Sequence, residues 1–340
     1  MDLKDAIAIV GIGGMFPGAK NINEFWRLLK HGENHVKEIP KYRWNNDAFY
    51  SPDPNTGGKL YTTHAGLMDR HDEWDNRLFG ISDAESERID LQQRYTLECV
   101  HMALEDGGIT RKELSGSKTG VYMGCMNDDY KMALYDDFKV GMNPDKEKDA
   151  NYSVTGTSTS IISARVSYVY NLLGPSMTID TACSSSLVAI HLGCQSIRLD
   201  ENDMAICGGV SSIMYPETFL VLCRARMMSA KGQCHAFSDM ADGYARGEGC
   251  GVVILQRLET ALQMKRKIWA VIYTGCNQDG ATAHPITAPS TQQQLELLKT
   301  VYERHNIDKS QIQYIEAHGV HTFCTNQFNE IQLILRKTNF

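Results

Sequence analysis

Residues 176–199 read SMTIDTACSSSLVAIHLGCQSIRL. The stretch opens with a period of two: Met177, Ile179 and Thr181 alternate with Thr178 and Asp180, a β-branched pattern that predicts a strand. At Cys183 the period changes. Leu187, Val188, Ile190, Leu192 and Ile197 recur at helical spacing, and Ser184, Ser185 and Ser186 stand where a helix start favours hydroxyls. Cys183 is therefore expected on a sharp strand-to-helix turn. A thiol there faces unpaired amide N–H groups and the positive end of the helix dipole, which favours the thiolate. The same N–H groups can hold an oxyanion once the sulfur has attacked a carbonyl. Cys183 then reads either as a small core hydrophobe, the commoner fate of a free cysteine, or as a nucleophile on an elbow with sulfur in place of hydroxyl. The turn favours the nucleophile.

The 340 residues suffice for one large or two ordinary domains. With 42% hydrophobic and 22% charged residues, the chain has the composition of a globular protein with a sizeable core. A net charge of −7 argues against nucleic-acid binding by bulk charge, and no apolar run approaches a membrane span. The opening MDLKDAIAIVGIGG lacks the apolar run of a secretory signal. Ten cysteines could suggest a disulfide framework, but Cys99, Cys125, Cys194, Cys207 and Cys250 fall in apolar or helical stretches and none forms a C-x-x-C pair. Reduced thiols in the cytoplasm are expected.

Around the central stretch, short strands alternate with helical runs and no tandem repeat appears, the pattern of a layered α/β architecture. IAIV at 7–10 predicts a buried strand. The GIGG after it is not a dinucleotide fingerprint, since position 16 is Phe16 and Pro17-Gly18 stops a helix. Leu97, Val100, Ala103 and Leu104 are expected on one face of a helix that Gly107-Gly108 stops. Gly208-Gly209 marks a close backbone approach. Glycines at 243, 247, 249 and 251 read as a structural turn before a strand rather than a phosphate cradle. Strands are expected over 268–275 and 313–317, the latter delivering His318 to its carboxyl end, where reactive groups collect in such sheets. His191, His101, His235 and His284 read as packed or hydrogen-bonding residues.

The run DTACSSSLVAIHLGCQSIR resembles the β-ketoacyl synthase domain of type I polyketide and fatty acid synthases. So do GIGGMFPGAKNINEFWRLL, EIPKYRW, the IDLQQR run (with Leu91 in place of the usual proline) and N-Q-D-G at 277–280, so that the resemblance covers about 7–319. It implies a thiolase-like layered αβαβα fold, here with an incomplete second half, and a homodimer in which the strand before Cys183 lies beside its twofold mate. It implies that Phe25, Trp26 and Leu29 share one face of the first helix, and that no cofactor is bound directly. Acyl groups come on the phosphopantetheine of an acyl carrier protein, Cys183 takes one as a thioester, and a malonyl-type thioester then condenses with it after decarboxylation. His318 matches the first histidine of the family's E-A-H-G-T-G-T run and would donate to the developing oxyanion. Phe237 matches an aromatic that lines the pocket, and Thr322 one of the threonines that hold the pantetheine arm.

After Gly319 the match breaks: Val320-His321-Thr322 stands for T-G-T, and neither G-D-P-I-E nor the second family histidine follows. Residues 320–340 read as a divergent tail with a weakly helical apolar pattern, behind a partial C-terminal half over 256–319 and an N-terminal half over 1–255 that carries the nucleophile. The break suggests a truncated or alternatively ended gene product, poorly soluble because its sheet lacks strands. The expected function is acyl transfer to Cys183 and decarboxylative Claisen condensation. The alternatives are a non-condensing acyl acceptor and a dimerisation or decoy partner of a full-length synthase; a Cys–His hydrolase ranks below them.

Overall fold

The computed structural model describes residues 5–69, 72–132, 150–280, 288–316, 318 and 334–336. The apolar run IAIV starts β1 (Ile7–Met15), which continues through the glycines that follow it. Those glycines are needed because a helix lies against the strand. A Cβ on Gly11 would sit 2.3 Å from the Ala103 carbonyl oxygen, and one on Gly13 would sit 2.1 Å from that of Cys99. GIGG is thus a packing contact. In α1 (Ile22–His31), Asn21 caps the first turn by accepting from the Glu24 amide. The buried residue of α1 is Leu28, whereas Trp26 and Leu29 are exposed and Phe25 stacks on Phe16 at 4.2 Å. Of the three residues expected on one face, Phe25 is thus packed, while Trp26 and Leu29 stay open to solvent.

A small antiparallel pair, β2 (Val36–Glu38) and β3 (His64–Gly66), stands apart from the main sheet. Next comes α2 (Leu91–Asp106), whose N-cap Asp90 accepts from the Gln92 amide. Leu91 is the first helical residue, a position where proline is also favoured and where no N–H is required, so the departure from the family's proline is tolerated. The chain then forms β4 (Thr119–Gly124), α3 (Ser160–Tyr170), β5 (Ser176–Ile179), α4 (Ser185–Arg198), β6 (Met204–Ser211), β7 (Gly249–Arg257), β8 (Ala270–Tyr273), α5 (Thr291–Arg304) and β9 (Ile334–Arg336).

Among the described residues, seven strands form one mixed sheet in the order β5-β4-β6-β7-β1-β8-β9. The pairs around β4 are parallel and those from β6 to β9 antiparallel. Alternate strand residues serve opposite faces. Ala8, Val10, Val121, Met123, Ile206 and Ile254 pack under α2 and α3. Ile7, Ile9, Tyr122, Ala205, Cys207 and Leu255 meet Ala189, Cys194 and Ile197 of α4 on the other face. This mixed α/β architecture agrees with the expected fold class.

Two expectations near the C-terminus are corrected. Residues 312–316 form no strand, and Tyr314 and Ile315 are exposed. A strand needs a neighbour, and the free edge of β8 is taken by β9, with Tyr273 opposite Ile334 and Val271 opposite Arg336. For the same reason Ile334–Arg336 is extended, where the tail pattern suggested a helix.

Candidate active site

The strand before Cys183 ends at Ile179, whose carbonyl accepts from the Cys125 amide at 3.0 Å, and α4 begins at Ser185. Residues 180–184 make the turn, and their own polar groups tie it. Asp180 accepts from the Ala182 amide at 2.9 Å; the Ser185 hydroxyl accepts from the Thr181 amide at 2.9 Å and donates to the Ala182 carbonyl at 2.6 Å. The Ser184 hydroxyl lies 2.8 Å from both the Thr181 carbonyl and its hydroxyl. Ala182 takes φ 56°, a left-handed conformation unfavourable to a side chain, which swings the chain back toward the helix. Cys183 follows it and is exposed.

The serines expected as helix caps serve the turn instead. Ser184 is the N-cap residue of α4 but makes no side-chain cap bond. The Ser184 side chain thus caps none of the first-turn amides beside Cys183, of which that of Ser185 donates to the Ala182 carbonyl at 3.1 Å, at the positive end of a 14-residue helix. Two glycines let that helix end lie on the sheet. A Cβ on Gly124 would meet the Ser186 amide nitrogen at 2.5 Å, and one on Gly209 the Ser186 Cβ at 2.6 Å. The close approach expected at Gly208-Gly209 is present; the matching role of Gly124 was not read from the sequence, although its position at the end of the apolar run GVYMG marks it.

Tyr244 is a second residue that sequence reading missed. Burial raises the pKa of its phenol, and the Cys183 sulfur, close enough to interact electrostatically, raises it further. Tyr244 heads the segment that enters β7, and that segment is firmly held. The Gly66 amide donates to the Arg246 carbonyl at 2.9 Å and the Glu248 amide to the Gly66 carbonyl at 2.8 Å. Glu248 accepts from both terminal Arg43 guanidinium nitrogens at 2.9 Å, together with the Met68 and Ile213 amides at 2.7 and 2.8 Å. This carboxylate is wholly buried and fully satisfied, so it fixes the loop beside the turn. The glycine-rich run is a structural turn, as its place before a strand implied.

The other expected site residues are less closely assembled. His318 is exposed, and among the described residues no hydrogen bond joins it to Cys183. Glu316 receives the Tyr314 hydroxyl. Phe237 is 61% exposed and has φ 60°, an unusual conformation for an aromatic residue. Thr322 lies outside the described residues. His191 has the structural role expected of it, with Nδ1 2.9 Å from the Thr274 hydroxyl and burial lowering its pKa. The described cysteines are all free, and burial raises the pKa of Cys99, Cys125, Cys194 and Cys207.

Residues 4–261 match the model of the β-ketoacyl synthase N-terminal domain and residues 269–336 that of the C-terminal domain, the latter match running past Gly319. The chain belongs to the β-ketoacyl synthase family. Polyketide synthase PksL of Bacillus subtilis strain 168 is 41% identical over 320 residues, 94% of this chain and 7% of that protein. A phenolphthiocerol/phthiocerol polyketide synthase polypeptide of Mycobacterium tuberculosis is 40% identical over 94% of this chain and 20% of its own length. The ketosynthase from module 6 of the bacillaene synthase of B. subtilis 168 superimposes with a TM-score of 0.83 at 39% identity, covering 93% of this chain and 51% of that one. An oxazolomycin ketosynthase domain from Streptomyces albus JA3453 gives 0.86 at 34% identity, with 93% and 55% covered. This ketosynthase chain thus spans about half the length of those solved structures and a small part of the curated relatives. None of its described helices is long and apolar enough to cross a membrane.

Proposed function

We propose that this chain performs the acyl-transfer and condensing steps of polyketide synthesis, with Cys183 as nucleophile. The observation that carries the reading is an exposed thiol on a tied turn, at the start of a helix whose N-cap residue Ser184 makes no side-chain cap bond. The Cys183 thiolate attacks the carbonyl carbon of an acyl thioester on the phosphopantetheine of an acyl carrier protein. The tetrahedral oxyanion draws on the amides at the start of α4, and the pantetheine thiolate leaves and takes up a proton. A malonyl thioester on a second carrier then loses carbon dioxide. Its enolate carbon attacks the Cys183 thioester, a carbon–carbon bond forms, and the Cys183 thiolate is released. His318 would stabilise negative charge on an oxygen during these steps, Phe237 would line the acyl pocket and Thr322 would hold the pantetheine arm. The chain would work in the cytoplasm as a homodimer joined through β5. No cofactor of its own is required.

A second reading, an acyl acceptor that does not condense, rests on Val320-His321-Thr322 standing where the family run has T-G-T. One experiment separates the two. The acylated chain is mixed with a malonyl-loaded carrier protein and the carrier-bound product is weighed. An extended β-ketoacyl product with release of carbon dioxide supports condensation. A persistent acyl-enzyme with no product supports the acceptor, and no acyl-enzyme at all leaves only a dimerisation partner.

A further inference from the structure

Residues 124–127, at the end of β4, touch both shoulders of the turn that carries Cys183. On the strand side, the Cys125 amide donates to the carbonyl of Ile179, the last residue of β5, at 3.0 Å. On the helix side, Gly124 is the seat of α4, where a Cβ would meet the Ser186 amide nitrogen at 2.5 Å. Gln92, in the first turn of α2 and 1% exposed, fixes this segment from beneath. Its Nε2 donates to the Asn127 carbonyl at 2.9 Å and to Asp90 Oδ2 at 3.2 Å. Its Oε1 lies 3.3 Å from the Cys125 Sγ. Burial pushes the Cys125 thiol up to about 12, so it keeps its proton and donates, with the Asn127 carbonyl a second acceptor at 3.4 Å. The Asn127 side chain carries the tie on to the end of β6, donating to the Ser211 hydroxyl at 2.9 Å and the Ser212 carbonyl at 3.3 Å.

A buried side-chain amide costs free energy unless its donors and acceptor are bonded. Once bonded, it holds its partners in one arrangement, because hydrogen bonds are directional where apolar contacts are not. Gln92 spends its bonds on the one segment that meets the strand before Cys183 and the helix after it. We infer that Gln92, acting through Cys125 and Asn127, is a positioning residue for Cys183. It keeps the turn in register with the start of α4, so that the sulfur attacks a carbonyl where the helix amides meet the oxyanion. Being buried, Gln92 acts on the segment and not on the substrate. The inference rests on the acyl-transfer reading proposed above.

The test compares two reactions of Cys183 in the whole chain, both followed by peptide mass spectrometry below the melting temperature. One is acylation by an acyl N-acetylcysteamine thioester, which builds an oxyanion. The other is alkylation by iodoacetamide, in which sulfur displaces iodide from a saturated carbon and no oxyanion forms. Gln92→Met keeps the side-chain length and the helix propensity but removes both polar arms. Acylation at saturating thioester should slow about ten- to hundredfold, with the half-saturating concentration and the alkylation rate held within about twofold. Cys125→Ala, a milder change that keeps the backbone bond to Ile179, should slow acylation about three- to tenfold, the worth of one hydrogen bond. Cys125→Ser retains a donor and should stay close to the parent, so the pair decides the matter even if Q92M does not fold. Unchanged acylation in the folded variants overturns the inference. So does an equal loss of acylation and alkylation, which marks a loosened fold rather than a displaced turn. If the parent chain itself is alkylated at Cys183 but never acylated, the proposed function fails and the inference falls with it.

Discussion

Ala182 and Cys183 divide the labour of the turn: one accepts a left-handed backbone so that the other can stand at the helix end. The surrounding Ser184, Ser185 and Thr181 hydroxyls were visible in sequence as helix-start residues, but their partners were not, because a hydroxyl serves a cap or a turn with equal ease. Asp90 shows a cost at the same scale. It caps α2 from a site where it is only 2% exposed, and burial, opposed by its bonds from Gln92, raises its pKa from 3.8 to about 6. The folded state therefore holds the proton more tightly than the unfolded chain. Stability from this group is present at low pH and is lost as pH rises between those two values. Asp90→Asn keeps a capping oxygen and cannot ionise. Its stability relative to the parent should rise by about 3 kcal/mol from about pH 4 to about pH 7 and then level off. Denaturant unfolding at several pH values measures this; a difference independent of pH would refute the account of Asp90.

Elements were legible where the sequence carries a period. β5 and α4 lie where the switch at Cys183 put them, and β1 where IAIV did. The expected strand over 313–317 does not form across its described residues 313–316, because alternation records a preference for extension, while pairing depends on an edge that β9 occupies. The approach of α4 to the sheet was half legible. Gly208-Gly209 announced it, but Gly124 gains its meaning only from the helix end above it. Gly124→Ala would press a methyl group on the Ser185–Ser186 backbone. It should cost about 1–3 kcal/mol of stability and, by lifting the start of α4, slow acylation of Cys183 at temperatures where the protein remains folded. Unchanged acylation in folded G124A would mean that the seat of the helix does not set the geometry of the turn.

At the scale of the whole molecule, the family motifs pointed to the fold class, since they fall in the chain order of a single layered α/β unit. Sequence could not order the sheet, which depends on pairings far apart along the chain. One of its edges is β5, paired on one side with β4 and exposing Met177. An open edge of this kind invites a second copy. Sedimentation should find the parent chain dimeric and Met177→Lys monomeric, as a charge placed at the junction opposes burial. A parent chain that sediments as a monomer would contradict the proposed dimer.

The central claim concerns Cys183, and peptide mapping by mass spectrometry tests it directly. After incubation with an acyl thioester, the acyl mass should appear on the peptide that carries Cys183 and vanish in Cys183→Ala, whose melting temperature should match the parent's because the thiol is exposed. An acyl group found on another residue, or none on a folded chain, would contradict it.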